Sequence, residues 1–207
     1  MLELDSQTIA IFFSQKSDGD LLFKTGSSDL NERVKQNRLK FFKKHNIDPS
    51  RLVNLAGIHG NAIGIINSTD LGKGSLDPKT RIRNTDGLIT NIKNSYLMVT
   101  GADCFPVLFF DENKKVIGAV HCGWRGILKK IIKETILKLR NSFDSNPADI
   151  NIWIGPGIKK CHYNVSKERA DLFSENYKAH IIEKGGKIFL DLPKIIKAQL
   201  TALGVKP

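Results

Sequence analysis

The sequence predicts a mixed α and β fold in which sheets are covered by helices, and three observations carry this prediction. Short apolar runs separated by turn residues fill the middle of the chain, for example at 106–111 and 115–121. Residues 126–143 show an apolar stripe at helical spacing, with Lys and Glu between its members. The chain has 207 residues, of which 41% are hydrophobic, enough for one core.

The first half of the chain reads as short strands and one helix. β-branched and apolar residues at 8–13 predict a strand. Residues 29–45 predict a helix, because Asp29 can cap its start and Glu32 follows three residues later. The apolar residues of that helix recur at roughly helical spacing: Leu30, Val34, Leu39 and Phe42. Further strands are predicted at 51–58, 62–66, 87–90 and 96–100, and a loop at 71–80.

The second half is dominated by a hairpin and helices. Residues 106–111 and 115–121 flank Glu112-Asn113, which predicts a β-hairpin. One continuous helix is predicted over 126–143. The remaining elements are a strand at 150–154, a helix at 166–178 capped by Ser166, a strand at 188–190 and a helix at 192–203.

Composition excludes several classes of protein. No repeat, linker or low-complexity stretch divides the chain, so one domain over residues 1–207 is expected. Three cysteines are too few, and odd in number, for a disulfide scaffold. The apolar runs fall short of the ~18 residues of a membrane-spanning helix, and the first residues carry acids instead of the Lys or Arg of a signal peptide. We therefore expect no membrane partner and a cytoplasmic location.

The net charge of +11 raises the question of nucleic acid. The excess is mostly Lys, scattered singly or in pairs, whereas base readout favours Arg and exposed aromatic residues. A solvated, Lys-rich surface is therefore favoured over binding to nucleic acid. A non-enzymatic anion-binding protein remains an alternative that rests on charge alone.

Cys104 and His121 are placed on facing strands of the predicted hairpin. If Glu112-Asn113 is a two-residue turn, the two side chains lie directly opposite, with Cβ atoms ~4.5–5.5 Å apart. A register shifted by one residue on each strand leaves them diagonal but on one face. Either arrangement lets a thiolate and an imidazole share a zinc ion, or act as nucleophile and base. Cys122, the next residue, would point to the opposite face.

Four neighbouring residues extend this pair into a candidate catalytic site. His59 would complete a three-ligand metal site with an open fourth position. Asp103 is a candidate acid/base or ligand-orienting group. Arg125, at the expected start of the helix, could bind phosphate together with the helix-start amides, and Trp124 offers a face for a flat ring.

The order of these motifs resembles that of a known family. The segments that carry the resemblance are His59-Gly60, DGLIT at 86–90, TGADCFPV at 100–107, HCGWRG at 121–126, and 154–165. Together they resemble the YfiH/LACC1 family of purine nucleoside phosphorylases, formerly described as multicopper polyphenol oxidoreductases or laccase-like proteins. Asn37-Arg38 in the first helix also matches, and the resemblance runs from about residue 8 to 205.

The resemblance implies a fold, a metal and an activity. The fold would be α+β, a layered αββα arrangement of mixed sheets covered by helices. His59, Cys104 and His121 would be the zinc ligands at the active site. The implied reactions are phosphorolysis of adenosine, inosine, guanosine and methylthioadenosine, together with adenosine deamination, so purine nucleosides and phosphate would be the partners.

The chain departs from the family pattern at several positions. Gly57 stands where the family usually has Gln, and Cys122 stands where it usually has Ala. The segment 16–19, KSDG, replaces an Arg-x-Gly-Gly-like signature, and the family continues into a further C-terminal segment where this sequence ends at Pro207.

Two other chemistries compete with zinc phosphorolysis. Five histidines are too few for a multicopper cluster, although one His₂Cys set could hold a single copper ion. The runner-up is a Cys104–His121 hydrolase or amidase acting on peptidoglycan precursors, in which the thiolate attacks instead of binding metal.

Overall fold

The computed structural model describes residues 2–4, 9–24 and 27–206. The strands are β1 (Leu2–Leu4), β2 (Ile9–Ile11), β3 (Leu52–Asn54), β4 (Ile63–Ile65), β5 (Gly87–Thr90), β6 (Ser95–Met98), β7 (Phe105–Asp111), β8 (Val116–Cys122), β9 (Ile150–Ile154), β10 (Asn164–Val165), β11 (Ile181–Lys184) and β12 (Lys187–Leu190). The α-helices are α1 (Ser28–Lys44), α2 (Trp124–Leu128), α3 (Ile131–Phe143), α4 (Lys167–Tyr177) and α5 (Leu192–Ala202).

The strands form three sheets. A four-stranded sheet has the order β2-β1-β6-β3, a five-stranded sheet has the order β4-β5-β8-β7-β9, and β10-β12-β11 form a small third sheet. The pairs β3–β6 and β4–β5 are parallel and the other strand pairs are antiparallel, so both larger sheets are mixed.

Three buried apolar clusters hold the layers together. The first lies between α1 and the four-stranded sheet and includes Phe41 and Tyr96. The second lies between the two larger sheets and includes Leu97 and Leu108. The third joins the five-stranded sheet to α2, α3, α4 and α5 and includes Val120. This order of layers confirms the expected αββα arrangement.

The β7–β8 hairpin has the shifted register. Pro106 pairs with His121 and Asp111 pairs with Val116, so of the two registers considered the shifted one is observed, and Cys104 and His121 are diagonal rather than directly opposite. The cause lies in the turn, which spans residues 112–115 instead of two residues. Asp111 Oδ1 accepts the Lys114 amide at 3.0 Å, and Lys115 adopts the left-handed conformation with φ 52°.

Helix α1 buries a different face from the one expected. Leu30 and Leu39 are exposed, and the inward positions are Val34, Arg38, Phe41 and Phe42. The predicted cap is also wrong, because the helix begins at Ser28 and Asp29 lies inside its first turn. A charged residue at the centre of the buried face explains why apolar spacing misplaced the stripe.

The helix predicted over 126–143 is interrupted. It consists of α2 and α3, and Lys130 between them has a φ of 61°. The break leaves both Ile127 and Ile131 fully buried in the third cluster. Because α2 begins at Trp124, Arg125 lies inside a five-residue helix and not at the start of a long one.

The other elements follow the sequence with smaller differences. β3 is shorter than the predicted strand at 51–58, and Thr8 of the strand predicted at 8–13 lies outside the described residues. The strand predicted at 188–190 is β12, whereas β10 and β11 were not predicted. Strands β11 and β12 form a hairpin whose turn is Gly185-Gly186, with φ of 58° and 69°. In the part of the chain that the structure describes, no helix has the length and apolar character needed to cross a membrane.

Candidate metal centre

Three potential metal ligands converge at one end of the β7–β8 hairpin. His59 lies in the loop between β3 and β4, Cys104 immediately precedes β7, and His121 lies in β8. One ligand atom from each side chain lies within 4.8 Å of the other two. His121 is buried, Cys104 is half-buried and His59 is exposed, so the group opens to solvent on the His59 side.

Asp86 anchors the loop that carries His59. Its carboxylate accepts hydrogen bonds from the amides of Ile58 at 3.1 Å, His59 at 2.9 Å and Gly60 at 2.7 Å. His59 itself has a φ of 57°, a left-handed conformation that costs an L-residue ~1–2 kcal/mol. The three hydrogen bonds from these amides compensate for this cost. They place the His59 imidazole beside that of His121, with ring centroids 4.9 Å apart.

The same carboxylate orients His121. Asp86 Oδ1 lies 3.0 Å from His121 Nδ1, and both side chains are buried. This leaves the other ring nitrogen, Nε2, as the one that could bind an ion, as in the carboxylate–histidine–metal arrangement of many metal sites. Asp86 belongs to the DGLIT motif, but no role was predicted for it from the sequence. An Asp directly before the buried strand β5, which neighbours the strand of His121, is the signal that could have found it.

The two imidazoles differ in their affinity for protons. Burial alone would lower the pKa of His121, but hydrogen bonds to Asp86 and Cys104 outweigh it and raise the pKa to about 9. Burial, together with the charge of His121, lowers the pKa of His59 below its usual value. In the metal-free protein His121 is therefore the protonated partner, and an ion that binds there must displace this proton.

Gly123 permits the three ligands to approach one another. A Cβ atom at this position would lie 2.9 Å from both Cys104 Sγ and His59 Nδ1. Real Cβ atoms essentially never approach other atoms so closely, so any larger residue would push the ligands apart. Cys122, its neighbour, is fully buried in the apolar core on the opposite face, as strand alternation predicts.

Two guanidinium groups lie over the ring of Trp124, the residue that follows Gly123. The guanidinium carbons of Arg125 and Arg169 lie 4.4 Å and 4.6 Å from the ring centroid of Trp124. A flat ligand ring would therefore compete with these two groups for the indole. Because α2 has only five residues, the helix-start amides expected to help Arg125 add little. Sequence reasoning missed Arg169, which lies on α4 and is distant in the chain.

Among the described residues, Asp103 forms no hydrogen bond with His121, so the ligand-orienting role considered for it belongs to Asp86. Its side chain is exposed, and its backbone carbonyl accepts the Ile158 amide at 2.8 Å. It lines a cavity of about 780 Å³ together with Cys161 and His162, whose Sγ and Nδ1 atoms lie 3.0 Å apart. The carboxylate in contact with His121 is that of Asp86, and the acid/base role of Asp103 stays a prediction.

The donor set fits a transition-metal ion. One thiolate and two imidazoles are ligands that zinc and copper prefer. Two donors at ~2.0 and ~2.3 Å from one ion lie at most about 4.3 Å apart, so small side-chain rotations would bring this group around an ion. This His₂Cys group, in which a buried carboxylate orients one histidine, could hold a single metal ion.

Comparison with known proteins identifies the family. The protein-family model described as multi-copper polyphenol oxidoreductase laccase matches residues 13–207, and the chain belongs to this family. The purine nucleoside phosphorylase YlmD of Bacillus subtilis (strain 168) is 34% identical over 143 residues, which are 69% of this chain and 51% of that protein. The purine nucleoside phosphorylase YfiH of Escherichia coli (strain K12) is 29% identical over 178 residues, which are 84% of this chain and 68% of that protein.

The fold is shared with solved structures. The crystal structure of a YfiH protein from Bacillus licheniformis superposes with a TM-score of 0.83 at 28% identity, covering 90% of this chain and 72% of that one. The resemblance inferred from the motifs is thus confirmed. The chain spans about half the length of the first curated relatives that it matches.

Proposed function

We propose that this chain is a cytoplasmic, zinc-dependent purine nucleoside phosphorylase that also deaminates adenosine. Its nucleoside substrates are adenosine, inosine, guanosine and methylthioadenosine. The observation that carries the proposal is the group of His59, Cys104 and His121, with ligand atoms within 4.8 Å and with His121 oriented by Asp86. The names of the relatives, which are purine nucleoside phosphorylases, support the choice of reaction.

Phosphorolysis exchanges one bond at the sugar for another. A phosphate oxygen forms a bond to C1′ of the ribose while the C1′–N9 bond breaks. The electron pair of that bond leaves with the purine, which takes up a proton, and the second product is ribose 1-phosphate. Nothing is oxidised or reduced, so the site must position phosphate beside C1′ and supply the proton.

The three candidate ligands would bind one zinc ion without large movements of their side chains. His59 and His121 would each bind zinc through a ring nitrogen and Cys104 through its sulfur, and the contact of Asp86 with Nδ1 would leave Nε2 of His121 for the ion. Zinc, when bound, supplies a Lewis acid and makes a nearby water a stronger nucleophile, which suits deamination.

Two further residues have proposed roles in binding and proton transfer. Arg125 would hold phosphate, because its guanidinium lies next to the ligands and its charge acts on His59. Trp124 would contact the substrate at its remaining ring surface. Asp103 would supply or accept the proton at the purine, since its carboxylate is exposed beside Cys104.

The test is incubation of the zinc-loaded protein with inosine or adenosine and inorganic phosphate. We expect hypoxanthine or adenine with an equal amount of ribose 1-phosphate, no base without phosphate, and inosine as a second product from adenosine. Cys104→Ser should abolish all of these products. Absence of base release with every nucleoside, with zinc or copper supplied, would rule out the proposal.

A second function is favoured by one specific contact. His121 is hydrogen-bonded to Cys104 on one side and to Asp86 on the other, which is the order of a nucleophile, a base and an orienting acid. The alternative is therefore a thiol hydrolase or amidase, for which the family resemblance suggests peptidoglycan precursors as substrates. Amidase activity that survives complete removal of metal by a chelator, but not alkylation of Cys104, would establish it in place of phosphorolysis.

A further inference from the structure

Two arginines from separate helices lie over one indole ring. Arg125 belongs to α2 and Arg169 to α4, and both guanidinium carbons lie within 4.6 Å of the ring centroid of Trp124. Each contact is a favourable cation–π interaction. The arrangement nevertheless brings two like charges close together, which is unfavourable unless an anion compensates them.

Among the described residues, no carboxylate forms an ion pair with either arginine. The ion pairs found among the described residues join lysines or His121 to acidic side chains, and neither Arg125 nor Arg169 takes part in one. The hydrogen-bonding partner of Arg169 is the hydroxyl of Tyr163, which is neutral. The two guanidinium groups therefore offer hydrogen-bond donors and positive charge to an anionic ligand.

Arg169 also occupies a position that disfavours a cation. Ser166 caps α4 and accepts the amide of Arg169, so Arg169 is the third residue of the helix. This position often carries Glu or Gln, whose side chain accepts a hydrogen bond from the backbone N–H of the capping residue, and a cation near a helix N-terminus interacts unfavourably with the helix dipole. A residue that breaks a local rule in this way is a candidate for a role in function.

The arginine pair is positioned beside the metal ligands. Trp124 and Arg125 follow directly after Gly123, where a Cβ atom would lie 2.9 Å from both Cys104 Sγ and His59 Nδ1. Tyr163 is half-buried against the third apolar cluster, and the charges of Cys104, Arg125 and Arg169 all act on its hydroxyl. The Tyr163 hydroxyl and the Trp124 ring therefore hold Arg169 at the margin of the site.

We propose that Arg169 is a second phosphate-binding residue, which together with Arg125 grips the phosphate that attacks the nucleoside. The inference rests on the proposed phosphorolysis and extends it with a residue that the sequence motifs did not include. Two planar guanidinium groups match the oxygens of a phosphate dianion through paired hydrogen bonds. Arg169 would thereby set the preference of the site for phosphate over water.

The test measures phosphate binding separately from catalysis. Inorganic phosphate is titrated by calorimetry into the zinc-loaded protein, and the KM for phosphate and for inosine are measured in parallel. We expect Arg169→Gln to raise the phosphate Kd and KM about tenfold or more, since a charged hydrogen bond is lost, while the KM for inosine changes less than about twofold. The phosphate Kd of Arg169→Lys should be intermediate, because lysine keeps the positive charge but cannot form the paired hydrogen bonds of a planar guanidinium.

Lys167→Gln is the matched control. Lys167 is exposed in the same turn of α4, so this substitution removes the same charge without touching Trp124. It should leave the phosphate Kd within about twofold, since exposed charges interact weakly in salt. An unchanged phosphate Kd in Arg169→Gln, or an equal rise in Lys167→Gln, would overturn the inference.

The outcomes separate this inference from the proposed function. If no nucleoside is cleaved but Arg169→Gln still loses phosphate binding, the anion site stands and phosphorolysis fails. If nucleosides are cleaved and neither constant for phosphate depends on Arg169, phosphorolysis stands and the role of Arg169 fails. Circular dichroism of each variant verifies that the fold is retained.

Discussion

Asp86 Oδ1 lies 3.0 Å from His121 Nδ1, and the same carboxylate accepts three consecutive amides of the loop that carries His59. One buried acid thus positions two of the three candidate metal ligands. It orients His121 through its ring nitrogen and His59 through the backbone amides of its loop. The position of this acid, directly before β5, links the loop to the five-stranded sheet.

Asp86→Asn should weaken metal binding without removing a ligand. The amide nitrogen cannot accept hydrogen bonds, so it would compete for the contacts that orient His121 and the His59 loop. We expect zinc affinity to fall about 10–100-fold, measured by competition with a chromogenic chelator. Asp171→Asn on the exposed face of α4 is the control. An unaltered zinc affinity in Asp86→Asn would show that the contact has no role in the site.

Gly123→Ala should also disturb the centre, this time by crowding. The added Cβ atom would lie 2.9 Å from Cys104 Sγ and His59 Nδ1, so at least one ligand must move. A loss of about tenfold in zinc affinity is expected. Gly64→Ala in β4 is the matched control, because its Cβ atom would meet ordinary contacts no closer than 3.4 Å. Equal zinc affinities for the two variants would contradict this account of Gly123.

The cysteines at 104 and 122 should separate metal binding from stability. Cys104→Ser should remove the bound zinc, since it deletes the sulfur ligand. It should change the free energy of unfolding of the metal-free protein only slightly. Cys122→Ala should retain one zinc per chain but lower the free energy of unfolding by ~1 kcal/mol, because Cys122 is fully buried in the core. Denaturant unfolding and metal analysis of both variants test this pair of results. Retention of zinc by Cys104→Ser would contradict the assignment.

Arg38→Met should destabilise the fold by ~3 kcal/mol or more. The guanidinium of Arg38 is fully buried and donates to the carbonyls of Leu21, Gly74 and Ser75 and to the side chain of Asn54. Methionine fills the space but leaves these acceptors without a donor. Arg33→Met, at an exposed position of α1, should change the free energy of unfolding by less than ~0.5 kcal/mol in the same urea titration. Equal stabilities would show that the Arg38 network is dispensable.

Local patterns in the sequence were sufficient to predict most elements. Strand β5, strand β9 and the cap of α4 at Ser166 fall where apolar runs and turn residues placed them. The register of the β7–β8 hairpin was not predictable in this way, because it depends on the left-handed conformation of Lys115 in a longer turn. The buried face of α1 was missed since its central residue is Arg38, which apolar periodicity assigns to solvent.

The site was predicted in part. His59, Cys104 and His121 were proposed together from hairpin geometry and family motifs, and the structure brings their ligand atoms within 4.8 Å. Asp86 and Arg169 received no role, because their contacts with His121 and Trp124 join segments that are far apart in the chain. Such contacts depend on how the sheets and helices pack, which no local spacing encodes.

The proposed function requires that His59, Cys104 and His121 hold one ion together. X-ray absorption spectroscopy of the protein loaded with one equivalent of zinc measures this directly. The account predicts one sulfur ligand at ~2.3 Å and two histidine nitrogens at ~2.0 Å, with the sulfur lost in Cys104→Ser. A zinc environment without sulfur, or one that is identical in Cys104→Ser, would contradict it.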